Sequence, residues 1–550
     1  MHCWNYTSTF SAGWLIIPVS FCFGTLSGIF FMFKGFRQIA CLTALSRVFG
    51  MLRDMAFAHF LGADWLMTAW TMGFKIPNLS RRLFGEGAAA ASFIPVYSQE
   101  LEKDAASARR LACTVLTVVA VVLLSIVLAG ECFVWVYYRY FAANEGTRVG
   151  LKLCSVMLPY MISICLVAIL AGILQVHRHF AAPAAAPIVL NIIIISSLLL
   201  SGWVFKMEEE RQIYFVACGV LFAGLVQIGI QIPPLRKANV KLAPAWDVHS
   251  AAFKRIIIMM GPMIIGLTVT QINTLADDLI ALGFSREDGY PLGWGAVSNL
   301  YYAQRMYQLP LGVFGISLAT AIFPVLSTMA AKKDYDGLAK TVSRGIGGAA
   351  FLAVPATAGL ILVARPVIAA VFEHGKFTGE DTAVTAMTLS WYAVGLTGFF
   401  SQQILTRAFY SMQDSKTPMY SAVLAVCVNV VLNLTLIWFM GTGGLALSTA
   451  VCSYLQVFIL VAVLRKRIGH SFMQGLPATV LKTAAATFLM TVVSGGVLCL
   501  MRNLPKGAGG LKFDIFRLVA VVLSSVVVYY ICAVIMRNEG LSLVVRREKA

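Results

Sequence analysis

The chain has 550 residues, 59% of them hydrophobic and 12% charged, with a mean hydropathy of +0.80 and a net charge of +18. That composition excludes an ordinary soluble domain and a disordered chain, and apolar stretches of about 20 residues recur along the whole length, as repeated membrane-spanning helices require. The positive charge is scattered through short loops with no long basic tract, so it reads as a topology signal and as contact with anionic lipid heads, not as a nucleic-acid surface. Most of the 12 cysteines lie inside apolar runs without CxxC or His/Cys ligand spacing, which makes them small buried hydrophobes.

Residues 1–35 form an N-terminal extension. Trp14 to Phe33 is apolar enough to span or to serve as a signal segment, yet it lacks a basic lead-in and a small-residue cleavage site. The preferred reading starts translation at Met32, whose following residues lead naturally into the first helix. Fourteen spans follow at 36–60, 64–97, 109–138, 150–176, 180–203, 213–234, 253–283, 294–329, 344–371, 383–411, 417–440, 443–464, 478–500 and 514–536. The expected fold is all-α and polytopic. Helices 1–6 occupy 36–234 and helices 7–12 occupy 235–464, as two six-helix lobes; helices 13 and 14 with a basic tail occupy 465–550. With Phe36 inside, Lys and Arg divide roughly 21 to 9 in favour of the cytoplasmic loops, which puts both ends of the bundle in the cytoplasm.

The lobes are suggested by an internal repeat. Residues 84–98 (FGEGAAAASFIPVYS) resemble 314–327 (FGISLATAIFPVLS), with Pro77 and Pro310 upstream of each. The offset is an even number of spans, so both copies share one orientation, which implies a two-fold axis along the membrane normal and a cavity between the lobes.

Ionisable groups inside spans are costly and usually face a cavity or a partner. In the first span, Arg47 and Asp54 are seven residues apart and share a helix face, while Arg53 is offset by about 120°. Arg47 and Arg53 lie about 15 and 24 Å beyond the anchor Arg37, too deep for both to snorkel. In the second span Pro77, Gly85 and Gly87 should break the helix; Arg81 and Arg82 either line a cavity there or end the helix as cytoplasmic charges. Arg305 has no carboxylate within four positions and stands among amides and phenols, as an arginine kept for an external anion would. Guanidinium forks match phosphate oxygens bidentately, so several in a partly dry cavity suit a diphosphate. Asp277 and Asp278, with Asn429 and Asn433, form either an oxygen-rich cation site or a structural hydrogen-bond cluster. No Walker motif is present.

These motifs resemble a known family. Ser46 to Asp54 (SRVFGMLRD), Gly62-Ala63, Phe74 to Asn78 (FKIPN), Arg81-Arg82, Glu86-Gly87-Ala88 with Phe93-Ile94-Pro95, Tyr302 to Arg305 (YAQR) and Pro310-Leu311-Gly312 are similar to the MurJ (MviN) family. These are lipid II flippases of the multidrug/oligosaccharidyl-lipid/polysaccharide exporter superfamily. The likeness covers essentially all of 36–536, including the division into six, six and two helices.

The resemblance implies a V-shaped bundle with inward-open and outward-open states, a cationic central cavity, and a groove at the last two helices for the undecaprenyl tail. It places Arg47, Arg53 and Arg305 on the family's cavity arginines and Arg82 on a further basic position, with Asp54 beside them. It implies that lipid II (undecaprenyl-diphosphate-MurNAc-pentapeptide-GlcNAc) is moved across the bacterial cytoplasmic membrane with no bond made or broken and no cofactor. Coupling to a monovalent cation or to the membrane potential is left open. A monomer that associates with cell-wall synthesis or division proteins is expected. Three positions depart from the family pattern: Thr68, Gln304 and Gln308 stand where acids are common. Asn429 and Asn433 match the family's Asn/Asp cation-site pair only in part. Among rivals, a drug or cation exporter would need unpaired cavity acids, and an intramembrane polyprenyl-phosphate transferase would need acidic metal-binding motifs; this chain supplies arginines instead.

Overall fold

The computed structural model describes residues 34–81, 88–142, 145–469, 475–502 and 510–541. The N-terminal extension up to residue 33, Arg82, the Glu86-Gly87 pair and the tail from 542 lie outside the described residues.

The described chain is predominantly helical. The first part runs α1 (Lys34–Leu61), α2 (Trp65–Ser80), α3 (Ala88–Lys103), α4 (Ala105–Tyr140), α5 (Glu145–Met157), α6 (Tyr160–Val176), α7 (Ala181–Leu199), α8 (Glu209–Gly229) and the short α9 (Ile232–Lys237). The second runs α10 (Ala251–Gly283), α11 (Ala296–Pro310), α12 (Ile316–Ala331), α13 (Tyr335–Phe372), α14 (Gly379–Val394), α15 (Leu396–Ser411), α16 (Lys416–Met440) and α17 (Thr442–Ile468), followed by α18 (Leu476–Arg502) and α19 (Gly510–Ile535). Among the described residues the only β pairing is the two-residue contact of Ser285–Arg286 with Leu292–Gly293.

Ten helices among the described residues, taking helices that run on without a sharp bend as one, are long and apolar enough to cross a membrane. The α14–α15 pair, bent by 42°, makes an eleventh. The spans expected at 36–60 and 253–283 are helical, and the one expected at 64–97 is helical over 65–80 and from 88 onward with 82–87 outside the described residues, but none of these is among the ten. In α1 the reason is visible in the sequence: Arg47, Arg53 and Asp54 interrupt its apolar run. This is the all-α architecture of a polytopic membrane protein.

Local chemistry sets the breaks. Asp104 accepts from the backbone N–H of Ala106 (3.1 Å) and Ser107 (2.8 Å) and so starts α4 directly after α3. Thr378 and Asp381 close a capping box on α14. The two repeat segments fold alike locally, as helices α3 and α12 carrying Pro95 and Pro324. The helix before each also contains a proline, Pro77 or Pro310, and Pro310 leads into a π turn over Leu311–Gly315.

Packing brings the early helices against the later ones along a seam. α1 lies along α7 and α2 along α5, while α2 also meets α11, α3 meets α10 and α1 meets α13. At one end the seam is closed by polar contacts. The Tyr302 hydroxyl donates to the Gly62 carbonyl (3.1 Å), the Lys376 N–H donates to the His59 carbonyl (3.0 Å), and Lys376 pairs with Glu209. Gly62 has φ +64° and a Cβ there would lie 2.9 Å from the Lys376 carbonyl oxygen, so glycine is required by conformation and by space. Beneath these contacts Phe57, Leu61 and Trp70 bury against Leu300, Tyr302 and Phe372 in one continuous core. Helices α18 and α19 pair with each other and pack on α13, where the Tyr529 hydroxyl donates to the Phe351 carbonyl (2.7 Å).

Candidate functional site

The site is built on the middle of α1 and on α11, two helices far apart in sequence. Asp54 of α1 is 3% exposed, and its carboxylate is the centre of the arrangement. Arg53 donates to Asp54 Oδ1 through Nε (3.0 Å) and Nη2 (2.7 Å), and the Tyr301 hydroxyl donates to the same oxygen at 2.7 Å. Arg305 approaches from α11 with Nε 3.3 Å from Asp54 Oδ2, without hydrogen-bond alignment. Its Nη2 donates to the Tyr301 hydroxyl (3.0 Å) and its guanidinium stands over the Tyr301 ring, 4.5 Å from the centroid. Arg53 is further held by Asn191 of α7, whose side-chain carbonyl accepts from Nη1 at 3.0 Å.

One carboxylate thus serves two guanidinium groups. Arg305 is not kept free, as its sequence neighbours suggested: its acid comes from α1, 251 positions away in the chain. Arg47, which shares a helix face with Asp54 in sequence, does not pair with it. It is exposed, and its guanidinium lies against Gly312, where a Cβ would come within 3.2 Å of Nη1. It lines neither of the cavities below. Arg82 lies outside the described residues.

Two connected cavities share Arg53, Phe74, Asn78 and Arg305. The smaller, about 160 Å³, lies between α2, α10 and α11 and is lined by Lys75, Asp277, Asp278, Gln304 and Gln308. The larger, about 610 Å³, runs along α1, α6 and α7 past Arg81, Gln175, Asn191 and Gln227. Within it Arg81 donates to the Asn78 side-chain carbonyl through Nε (3.1 Å) and Nη2 (2.9 Å). Arg53, Lys75, Arg81 and Arg305 therefore face three carboxylates, those of Asp54, Asp277 and Asp278, leaving the region cationic among the described residues. The amides Gln175, Asn191 and Gln227 carry donors and acceptors without charge, which suits a polar headgroup beyond the anion.

The smaller cavity holds a second polar cluster. Lys75 pairs with Asp278 and donates to the Thr274 carbonyl (2.8 Å), tying α2 to α10. Asp277 accepts from Asn433 Nδ2 (2.6 Å) and from the Thr449 hydroxyl (3.0 Å), and Asn433 Nδ2 also reaches Asn429 Oδ1 (3.0 Å). No group of three or more His, Cys, Asp or Glu side chains that could hold a metal ion occurs among the described residues. The three departures from the family pattern are each placed. Thr68 is buried, donating to the Trp294 carbonyl (3.0 Å) beside the Ser298 hydroxyl, so it joins α2 to α11 near the closed end. Gln304 donates to the Tyr392 hydroxyl (3.1 Å), and Gln308 lines the smaller cavity.

The profile of the family described as "Lipid II flippase MurJ" matches residues 57–531. The chain belongs to the MurJ family. It is 33% identical to the "Probable lipid II flippase MurJ" of Vibrio cholerae over 435 residues, covering 77% of this chain and 81% of that one. It is 30% identical to the "Lipid II flippase MurJ" of Burkholderia cenocepacia, covering 79% and 84%. Among solved structures, "Lipid II flippase MurJ, inward closed conformation" superposes with a TM-score of 0.73 at 24% identity, covering 91% of this chain and 99% of that one. An inward-facing multidrug resistance MATE transporter of the MOP superfamily gives 0.61 at 14% identity, covering 77% and 94%. This MurJ family member is thus a multi-pass inner-membrane protein with a MATE-like fold, and its function is transport of a lipid-linked substrate across the membrane.

Asn191 is the residue that sequence reading missed. Its signal was there, as a lone amide in the apolar run Ile188-Val189-Leu190-Asn191-Ile192, but nothing local linked it to an arginine 138 positions away.

Proposed function

We propose that this protein flips lipid II from the inner to the outer leaflet by alternating access. The observation that carries the reading is the junction of Arg53, Asp54, Tyr301 and Arg305, where α1 and α11 bring two guanidinium groups to one buried carboxylate. Arg305 has donors suited to a second anion and Arg53 keeps one on Nη1 beyond its bonds to Asp54, Tyr301 and Asn191, and a diphosphate offers enough oxygens to engage both at once. Asp54 offsets one of the two charges before substrate arrives, so the arginines are not both buried without a counter-ion while a net positive charge is kept for the anion. The amide-lined larger cavity then accommodates the sugar and peptide portion.

The reading extends to the architecture: fourteen spans in two six-helix lobes, with α18 and α19 as an added pair whose groove takes the polyprenyl tail. Both bundle termini lie in the cytoplasm, as the basic loops direct. On that orientation the closed end of the seam, at Gly62, Tyr302 and Lys376, faces outward. The larger cavity, which reaches Thr43, Gln175 and Phe180, leads inward. The cycle is a rocking of the lobes that opens the outer seam and closes the inner path, with no covalent step. The protein works as a monomer among anionic lipids and binds no nucleic acid, and it associates with cell-wall synthesis or division proteins. The cluster at Asp277, Asn429 and Asn433, or the membrane potential acting on the cavity charges, supplies the coupling.

Export of another polyprenyl-diphosphate glycan uses the same arginine chemistry and is the alternative; a cationic drug is disfavoured by the cationic cavity. The deciding experiment is conditional depletion with an in situ assay of lipid II in each leaflet. Lipid II should be lost from the outer leaflet and accumulate in the inner one. Unchanged distribution after depletion would reject the reading.

A further inference from the structure

Behind α2, on the face turned away from the arginines, lies an apolar slot of about 870 Å³ between α2, α5 and α10. Met72, Gly73 and Ile76 line the slot, while their neighbours Thr71, Phe74 and Lys75 line the smaller cavity, so α2 is a wall one helix thick. From α10 the slot receives Leu275, Leu279 and Leu282. Ile76, Leu279 and Leu282 remain 41%, 51% and 44% exposed, an apolar opening in the seam between early and late helices.

The depth of the slot matches one leaflet. All its shallow residues lie at one end: Trp65 begins α2, Gly146 lies in the first turn of α5, and Gly283 ends α10. Its deep residues are Ile76, Cys154 and Leu275. From Trp65 to Ile76 a helix rises about 16 Å, roughly half of a hydrocarbon core about 30 Å thick. Trp65, Trp294 and Tyr137 ring the shallow end, where interfacial aromatics belong. At the mouth stand Arg286 and Glu287, both exposed; Arg286 reaches the Ser285 carbonyl at 3.4 Å, and no ion pair joins the two side chains among the described residues. An adjacent cation and anion at headgroup level complement a phosphate followed by an ammonium group.

We propose that the slot is a binding site for a zwitterionic phospholipid of the ethanolamine type. One acyl chain lies between α2, α5 and α10, the phosphate meets Arg286 and the ammonium meets Glu287. The lipid is a wedge in the seam, and its presence sets how closely α2 approaches α10 at this end. The site is separate from the arginine junction and does not depend on the identity of the transported substrate.

The test uses the full chain in nanodiscs containing a phosphatidylethanolamine probe with a mid-chain diazirine. Adducts should concentrate on Met72, Ile76, Cys154 and Leu279, well above those on the lipid-exposed Leu124 and Leu128 of α4. Gly283→Trp fills the slot from a position where an added Cβ meets nothing within 4 Å, and it should cut the labelling several-fold while size-exclusion behaviour is unchanged. Glu287→Arg should abolish the preference for phosphatidylethanolamine over phosphatidylglycerol, and the double exchange Arg286→Glu with Glu287→Arg should restore it; this pair serves independently should Gly283→Trp fail to fold. Labelling no richer than on α4, labelling insensitive to both sets of variants, or displacement of the probe by a polyprenyl phosphate would each overturn the proposal.

Discussion

Arg305→Ala separates a substrate contact from a structural role. The arginine side chain is 37% exposed, and its attachments are one hydrogen bond to Tyr301, a stack over that ring, and an unaligned approach to Asp54. A partly exposed ion pair contributes about 0–1 kcal/mol and a cation–π contact of this kind about 0.5–1 kcal/mol. Asp54 keeps Arg53 and Tyr301 as donors after the change, so no buried charge is orphaned. Loss of fold stability should therefore stay under about 2 kcal/mol. Loss of a forked contact to a phosphate is larger: charge-assisted hydrogen bonds contribute about 1.5–3 kcal/mol each, so two of them correspond to roughly 10²–10⁴-fold in a transport step that depends on them. The assay is complementation of a depletion strain together with leaflet-resolved lipid II and immunoblotting of membranes. The Ala variant should accumulate near the wild-type level and fail to flip. Lys should rescue in part, because a point charge lacks the fork. Full flipping by Arg305→Ala, or its disappearance from the membrane, would refute the reasoning.

Asp54→Ala should behave in the opposite sense, because it leaves Arg53 and Arg305 facing each other without their shared acid; a loss of about 3–5 kcal/mol is expected for breaking such a buried pair, read as reduced heat resistance of the detergent-solubilised protein, whereas stability equal to Arg305→Ala would show that the carboxylate is not central. Asn433→Asp replaces the amide that donates to Asp277 with a second acid, so the two carboxylates should need a cation between them; thermal stability should become higher in sodium than in choline buffer, and an absence of any salt-specific difference would count against a latent cation site. Deletion of 478–536 should leave a protein that inserts but does not transport, since a 55-carbon tail at about 0.8 kcal/mol per buried CH₂ needs an apolar path throughout; tail-labelled substrate should crosslink to α18 and α19 in the intact chain, and normal flipping by the truncated one would remove the groove from the mechanism. Burial raises the pKa of Asp414, in the connection before α16, but hydrogen bonds from the Thr417 hydroxyl and N–H and the charge of Arg467 outweigh it and leave the carboxyl below its ordinary value. Its contribution is thus present above the ordinary carboxylate range and lost as the pH falls through the depressed value, so Asp414→Asn should lower stability near neutral pH and converge with the wild type in acid; a constant gap down to low pH would exclude the linkage.

The sequence by itself determined the elements and the kind of chemistry. Apolar runs bounded by polar loops mark helices because every backbone polar group in lipid must be satisfied within its own segment, and the observed ends of α16 and α17 fall within a few residues of 417–440 and 443–464. The SRVFGMLRD segment and the YAQR segment singled out α1 and α11, because a charge in an apolar helix is costly wherever it stands. Pairing was decided only by tertiary structure. Helical periodicity places Arg47 on the face of Asp54, yet the acid turns to its chain neighbour Arg53 and to Arg305, and Arg47 reaches Gly312 instead. A residue's own helix limits which neighbours it can meet at three or four positions, but says nothing about a helix 250 residues later. Asn191 and the Lys75–Asp278 pair were hidden for the same reason: each is an ordinary polar residue until the packing of α1 on α7, or of α2 beside α10, supplies its partner in a medium where leaving it unpaired would be costly.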